Sequence, residues 1–213
     1  MIRIDLPEEW RANVVLLRDI GDDDIERFLT TAERELAGSL RRQQQRQEWS
    51  ASRIAAKLLL LEAGAIQSPY DCEFPTRGQR PDTPVGSFHV SFSHTGGVGG
   101  AAVALQPVGL DLERVRTIDP RTYKLFLTTN EERLVRSSDI ALLPLQIWSA
   151  KEALFKTGGD EKTLKKIETT LSHLTPDRIG VTASGGRTAQ TRPIGDVMIA
   201  ALAFRAKEGA SQP

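Results

Sequence analysis

Residues 28–36, FLTTAEREL, return as FLTTNEERL at residues 126–134, with six of nine positions identical. Two more pairs follow in the same order and at nearly the same spacing: WSASRIAAK (49–57) with WSAKEALFK (148–156), and VGGAAVAL (98–105) with VMIAALAF (197–204). Chance similarity of Ala- and Leu-rich segments could explain one match, but three in one order indicate an internal duplication. The sequence therefore predicts two similar domains, residues 1–105 and 106–213.

Both copies have the same predicted order of elements. Thr30 with Glu33, and Thr128 with Glu131, have capping-box spacing, in which hydroxyl and carboxylate bind the free amides of a helix start. A longer helix follows and stops before glycine. We predict first strands at 13–18 and 108–113, long helices at 40–62 and 145–156, strand pairs 88–93 with 98–105 and 178–183 with 197–205, and loops at 67–86 and 183–194. The expected fold is α+β, a pseudo-dimer of two similar halves, each with a small antiparallel sheet packed on a long helix.

Composition excludes several classes of protein. The 28 Lys and Arg residues balance 28 Asp and Glu residues, so the chain lacks the basic excess of a generic nucleic-acid or anionic-membrane binder. Cys72 is the only cysteine, which excludes an internal disulfide and is typical of a reducing compartment. The most apolar stretch is shorter than the ~20 residues of a membrane span. We expect a cytoplasmic monomer without signal peptide, membrane or nucleic-acid partner.

Two carboxylates mark the first strand of the second copy. In VGLDLE (108–113), side chains alternate with period two, so Asp111 and Glu113 share one face and Leu110 and Leu112 share the other. Neighbouring carboxylates repel unless a proton or cation lies between them, and Mg²⁺ prefers oxygen ligands. A solvated edge strand would show the same spacing.

The segment WSAKEALFK carries charge on a helical stripe. Trp148, Glu152, Phe155 and Lys156 fall along one face with Lys151 beside it, so charged groups interrupt a stripe that a bland amphipathic helix would keep apolar. An exposed pair between Glu152 and Lys156 would also explain the spacing.

A phosphate-binding surface is expected in the first copy. Ser93, His94 and the Gly96-Gly97 turn combine a hydroxyl, an imidazole and backbone amides, which suit a phosphate or nucleotide, although a plain turn is the alternative. Arginine forks bind phosphate oxygens, while a solvated helix face is the alternative for these cations. The basic residues are Arg41, Arg42, Arg46, Arg53 and Lys57, with Arg77 and Arg80 in the loop beyond. Together these features predict one site, a Mg²⁺-type carboxylate cluster and a basic surface flanking a cleft.

The ordered motifs resemble the Sfp-type 4′-phosphopantetheinyl transferases. The resemblance spans roughly residues 28–205 and rests on Arg80-Pro81, Ser93-His94-Thr95, the GLDLE of 109–113, residues 126–131 and the WSAKEALFK segment. It implies two α+β halves in one chain. It also implies an enzyme that moves the 4′-phosphopantetheine arm of coenzyme A onto a serine of an apo acyl or peptidyl carrier protein, releasing adenosine 3′,5′-bisphosphate.

The resemblance also implies residue roles, position by position. Asp111, Glu113 and Glu152 match Mg²⁺ ligands, with Mn²⁺ as the other candidate ion, and Glu152 matches the base for the serine. Lys151 and Lys156 match lysines near the pyrophosphate. The matches to coenzyme A contacts are Ser93, His94, Arg41, Arg53 and Arg80. Ser91 stands where the family usually has Asn, and Arg80 where it has Lys.

Two other functions stay open on the sequence. One is a non-catalytic module of the same fold that binds a carrier protein or a nucleotide. The other is a different Mg²⁺-dependent transferase acting on nucleotides, since paired carboxylates occur in many such enzymes.

Overall fold

The structure is a computed structural model that describes residues 1–3, 12–75, 85–195 and 198–205. It contains two antiparallel sheets, each packed on one long helix. Two compact units divide the chain, Met1–Leu105 and Gln106–Pro213. The expected α+β class is confirmed. None of the helices in the described ranges is long and apolar enough to cross a membrane.

The first unit carries a four-stranded sheet in the order β1-β2-β4-β3. Its strands are β1 (Ile2–Arg3), β2 (Ala12–Arg18), β3 (His89–Thr95) and β4 (Val98–Ala104), and its helices are α1 (Asp22–Phe28), α2 (Thr31–Ser39) and α3 (Gln43–Glu62). Strand β4 lies in the middle of the sheet and is buried along its whole length. Its sequence VGGAAVA holds small side chains, so α3 can pack closely over it.

The second unit carries a five-stranded sheet in the order β5-β9-β8-β7-β6. Its strands are β5 (Val108–Arg114), β6 (Thr169–Leu174), β7 (Ile179–Ala183), β8 (Arg187–Ile194) and β9 (Met198–Arg205), and its helices are α4 (Thr129–Ser137) and α5 (Leu143–Lys156). Helix α5 buries Ile147 and Leu154 completely. Each such side chain contributes roughly 1.5–3 kcal/mol relative to exposure.

Close approach of helix to strand depends on one glycine in each unit. A Cβ on Gly99 of β4 would lie 2.2 Å from the carbonyl oxygen of Glu48, and a Cβ on Gly109 of β5 would lie 1.9 Å from that of Ala153. No side chain fits at these distances. Gly109 of the GLDLE segment is therefore required by packing alone.

Most predicted elements are confirmed, with ends shifted by a few residues. The predicted loop at 183–194 is wrong over most of its length, because Arg187–Ile194 forms strand β8. The predicted pairing of 178–183 with 197–205 is also wrong, because β8 lies between β7 and β9 and pairs with both. Buried and more exposed positions alternate along β8, but the buried positions hold Arg187, Ala189 and Thr191 instead of large apolar residues. Strand β6 was not predicted either. Residues 67–75 of the other predicted loop contain no helix or strand, and residues 76–84 lie outside the described residues.

The two long helices correspond in a register different from the one that the sequence match indicates. Both have αR residues at the C-cap, Ala63 and Thr157, followed by Gly64 with φ 66° and Gly158 with φ 84°. Lys57 and Lys151 both lie seven residues before these glycines, so Lys57 corresponds to Lys151 rather than to Lys156. The sequence match of 49–57 with 148–156 also predicts that Arg53 corresponds to Glu152, and that correspondence is therefore wrong.

Replacing either packing glycine by alanine should destabilise the protein. Gly99→Ala and Gly109→Ala force the helix away from its strand, which typically costs about 1–3 kcal/mol of unfolding free energy. Gly38→Ala is the control, because its Cβ meets nothing within 4 Å in helix α2 and should be neutral or stabilising by up to ~1 kcal/mol. Urea titrations followed by circular dichroism measure all three. Equal midpoints for the three variants would contradict the packing role.

Candidate active site

Strand β5 and helix α5 bring two of the predicted carboxylates together with side chains that orient them. Asp111 is buried and accepts hydrogen bonds from the Ser149 hydroxyl at 2.8 Å and from the Lys156 ammonium at 3.0 Å. Glu113 accepts one from the Trp148 indole N–H at 2.9 Å. Helix α5 thus holds both carboxylates of the strand, through Trp148 and Ser149 and, about two turns further on, Lys156.

The third carboxylate, Glu152, is half-buried in the same electrostatic environment. Burial raises its pKa, and the negative charges of Asp111 and Glu113 raise it further, while Lys156 opposes the shift. Burial and Asp111 likewise raise the pKa of Glu113, against Arg116 and Trp148. Among the described residues, Glu152 accepts no hydrogen bond. Its carboxylate is therefore the most available of the three for a ligand or a proton.

The carboxylates share a neighbourhood without forming a ready metal site. Within residues 1–3, 12–75, 85–195 and 198–205, no three His, Cys, Asp or Glu side chains are grouped so that they could hold a metal ion. Asp111 and Glu113 are instead engaged by Ser149, Lys156 and Trp148. The chemistry of the set nevertheless fits a hard divalent cation, because it offers only oxygens and its charges repel one another.

Lys151 does not lie where a pyrophosphate could reach it. Its side chain is fully buried, and the ammonium donates to the Glu131 carboxylate at 2.6 Å and to the Phe126 carbonyl at 2.8 Å. Burial lowers the pKa of Lys151, and Glu131 opposes that shift. The structure therefore shows Lys151 in an internal ion pair with Glu131 instead of the expected place beside a pyrophosphate.

The first unit contains the same ion pair. Lys57 is fully buried and donates to the Glu33 carboxylate at 2.6 Å and to the Phe28 carbonyl at 3.0 Å. Its expected place on a basic surface is wrong. Because the same buried pair occurs in both units, we interpret its role as structural. We call the two pairs the lysine locks, Lys57–Glu33 and Lys151–Glu131.

Each lock joins three parts of its unit through one carboxylate. Both glutamates close the predicted capping boxes, which are confirmed: Glu33 accepts from the amide of Thr30, and Glu131 from that of Thr128. The remaining oxygens bind the amide of Phe74 in one unit and of Thr169 in the other. The lock thus connects the short helix, the long helix and the segment that follows it.

The predicted cations for coenzyme A are dispersed through the first unit. Arg53 is 4% exposed, and its guanidinium lies 4.3 Å from the ring centres of both Trp49 and Phe92. Burial lowers the pKa of Arg53 to about 10, partly offset by Glu33, so the group stays charged at neutral pH. Arg41 is exposed just before α3. Arg80 lies outside the described residues.

Ser93 and His94 lie next to each other at the end of β3 but differ in exposure. Ser93 is buried, whereas the His94 side chain is 41% exposed and its Nδ1 lies 3.1 Å from the Glu48 carboxylate. The other oxygen of Glu48 accepts the Gly97 amide at 2.6 Å. That backbone amide, expected to bind a phosphate, is thus occupied by a carboxylate of the chain itself.

The sequence did not predict that Trp148, Ser149, Thr169 and Glu48 orient other side chains of their own units. Trp148 and Ser149 stand within the quoted WSAKEALFK segment, so their place beside Lys151 and Glu152 was a usable signal. Thr169 and Glu48 had none, because each reaches its partner through tertiary structure.

The single thiol offers no nucleophile at neutral pH. Burial raises the pKa of Cys72 to about 11, with Lys57 opposing and Glu33 and two further acidic residues adding to the shift. Thiolate is the reactive form, so covalent catalysis through this residue is disfavoured.

Comparison with known proteins finds a family match in the carboxylate-bearing segment. Residues 107–191 match the sequence model of the 4′-phosphopantetheinyl transferase superfamily. The match confirms the expected resemblance at that level. The matched segment contains Asp111, Glu113, Glu131, Lys151 and Glu152. No curated protein matches the chain significantly.

Removing either lysine of the locks should destabilise the protein to a similar degree. Lys57→Met and Lys151→Met each leave a buried carboxylate without its partner, which costs about 3–5 kcal/mol. Lys165→Met, at an exposed position, is the control and should change the unfolding free energy by less than about 0.5 kcal/mol. Urea midpoints measure the effect. If Lys151→Met kept the wild-type midpoint but lost coenzyme A binding, Lys151 would be a ligand residue after all.

Cys72 should react slowly with iodoacetamide. A thiol pKa near 11 leaves little thiolate at pH 7.5, so alkylation in the native protein should be roughly ten- to a hundredfold slower than in urea. The native rate should still be rising above pH 9, because the folded thiol titrates at higher pH than a free one. Intact-mass kinetics at several pH values measure both; a native rate that levels off near pH 8 would contradict the shift.

Proposed function

We propose that the chain is an Sfp-type 4′-phosphopantetheinyl transferase. It transfers the 4′-phosphopantetheine arm of coenzyme A to a serine of an apo acyl or peptidyl carrier protein and releases adenosine 3′,5′-bisphosphate. The observation that carries the proposal is the set of Asp111, Glu113 and Glu152, three carboxylates that influence one another's charge inside the segment that matches the superfamily.

The Sfp type, with two similar halves in one chain, is supported by how each unit is built. Each unit has a capping box before its long helix, a buried lysine lock and a terminating glycine at positive φ. In each, the first long strand pairs antiparallel with the last strand of the described residues, β2 with β4 and β5 with β9. Gene duplication accounts for all of these shared features.

The three carboxylates are the proposed ligands of Mg²⁺, with Mn²⁺ as an alternative. When bound, the ion would neutralise charge that develops on the pyrophosphate during transfer. Binding would also replace the contact of Lys156 with Asp111. The Lys156 side chain is 22% exposed, so its ammonium could turn to a phosphate oxygen. The contact of Lys156 with Asp111 would then explain why the three carboxylates lie near one another but are not grouped as a metal site.

Glu152 is the proposed base. The serine hydroxyl of the carrier protein attacks the phosphorus that bears the pantetheine arm, the bond to the bridging oxygen breaks, and the hydroxyl proton passes to the Glu152 carboxylate. A raised pKa makes this carboxylate a stronger proton acceptor than an exposed glutamate, and a positioned base contributes ~10²–10⁴-fold. Lys151, held by Glu131, fixes the helical turn from which Glu152 projects.

A non-catalytic module of the same fold is the second candidate. It is favoured by the internal hydrogen bonds of Asp111 and Glu113, which engage both carboxylates with Ser149, Lys156 and Trp148. The two functions differ in product, since only the transferase adds the arm to a carrier protein.

Transfer is measured by intact mass of apo carrier proteins incubated with the chain, coenzyme A and Mg²⁺. We expect the mass gain of the arm, its loss on adding EDTA, and its return with excess Mg²⁺. No gain with several acyl and peptidyl carriers, alongside measurable coenzyme A binding, would favour the non-catalytic module.

Glu152→Gln should slow transfer by ~10²–10⁴-fold while coenzyme A still binds, because the amide cannot take the proton. Glu132→Gln is the matched control, since Glu132 pairs only with Arg136 on the exposed face of α4 and should transfer at the wild-type rate. Transfer rates come from the mass assay and affinity from calorimetry. A wild-type rate for Glu152→Gln would show that another group is the base.

A further inference from the structure

Glu48 is a buried carboxylate that the proposed mechanism does not use. It lies on α3 and is 7% exposed. One of its oxygens accepts the Gly97 amide at 2.6 Å and the Gln44 side-chain amide at 2.8 Å, and the other faces His94 Nδ1 at 3.1 Å. All four residues belong to the first unit.

The turn that Glu48 binds has a backbone suited to an anion. Gly96 and Gly97 both have positive φ, 57° and 83°, between the paired strands β3 and β4. Successive amides in such turns can form concave anion sites. Here the Gly97 amide binds the carboxylate of Glu48, whereas the His94 side chain is 41% exposed and can meet an external anion.

The carboxylate determines which nitrogen of His94 carries hydrogen. A carboxylate can only accept hydrogen bonds, so Nδ1 must be the donor toward Glu48. The opposite nitrogen, Nε2, can then donate to a phosphate only when the ring is doubly protonated. Such a charged donor binds a phosphate roughly twice as strongly as a neutral one.

We propose that Glu48 is a positioning residue for coenzyme A binding, which holds His94 as a Nδ1–H donor so that the imidazolium Nε2–H binds a phosphate group of the ligand. The proposal rests on the proposed function, which includes His94 among the coenzyme A contacts. It adds a residue for which neither the sequence motifs nor the superfamily match gives a role. The phosphate tested is the 3′-phosphate, because dephospho-coenzyme A lacks only that group.

Glu48→Gln tests the proposal because glutamine nearly preserves shape but changes the donor. The side-chain oxygen of the glutamine must still accept the hydrogen bond from the Gly97 amide, so its NH₂ group faces His94. Nδ1 of His94 must then become an acceptor. Nitrogen-15 NMR of the ring should therefore report Nδ1–H in the wild type, Nε2–H in Glu48→Gln, and both nitrogens protonated in the wild-type complex with coenzyme A. Nε2–H in the free wild type would overturn the proposal without any variant.

Calorimetry with coenzyme A and dephospho-coenzyme A gives the binding test. We expect Glu48→Gln to weaken coenzyme A by roughly tenfold and dephospho-coenzyme A much less. In a His94→Ala background, Glu48→Gln should have no further effect, because Glu48 acts through the missing ring. Glu48→Asp should recover part of the affinity. Gln44→Ala, which removes the other side-chain partner of Glu48 but not His94, is the control and should bind like the wild type.

The outcomes separate this proposal from the proposed function. If the wild type transfers the arm but Glu48→Gln weakens coenzyme A equally with and without His94, Glu48 has a structural role only and this proposal fails. If the wild type binds no coenzyme A, the proposed function fails and this proposal with it. The urea midpoint of each variant shows whether a loss of affinity is caused by unfolding. If it is, the tautomer of His94 in the wild type, measured by NMR, decides whether the proposal holds.

Discussion

A lysine buried against a capping-box glutamate is the interaction on which each unit depends. Desolvating an ammonium and a carboxylate is costly, and the pair is tolerated because its remaining hydrogen-bonding capacity is filled by backbone groups. Each glutamate begins a short helix, holds the long helix through its lysine, and anchors the next segment. One carboxylate thereby sets the position of three elements, and its loss would leave a buried charge rather than a simple gap.

The geometry of the candidate active site follows from that constraint. Successive residues of an α-helix point about 100° apart, so with Lys151 held inward by Glu131, Glu152 points to a different side, where Asp111 and Glu113 influence its pKa. Trp148 and Ser149, one turn earlier, hold the carboxylates of β5. In the first unit, Leu58 follows Lys57, so the same lock there carries no carboxylate beside it. The residue after the lock lysine thus differs between the units, and in the second unit it is Glu152, the proposed base.

Local patterns in the sequence predicted much of the fold. Capping boxes, terminating glycines and strand alternation act between residues close in the chain, and these predictions agree with the structure. Strand β8 was missed because its buried residues Arg187, Ala189 and Thr191 show no apolar alternation, and only its neighbours β7 and β9 make it a strand. The match of Trp49 with Trp148 was misleading because local sequence similarity does not determine which positions of two helices are equivalent. The buried contacts of each helix determine that equivalence.

The sequence by itself determined the α+β class, the carboxylate pair on one strand face and the family resemblance, since these depend on residue type and short spacing. Only the tertiary structure decided how the charged side chains are used. Lys57 and Lys151 look like surface cations in the sequence, but burial against Glu33 and Glu131 makes them internal partners. Glu48 and His94 are far apart in the chain and meet only because β3 and β4 pack on α3. The reason is physical: a charge takes its role from its solvation and its partner, and neither is encoded locally.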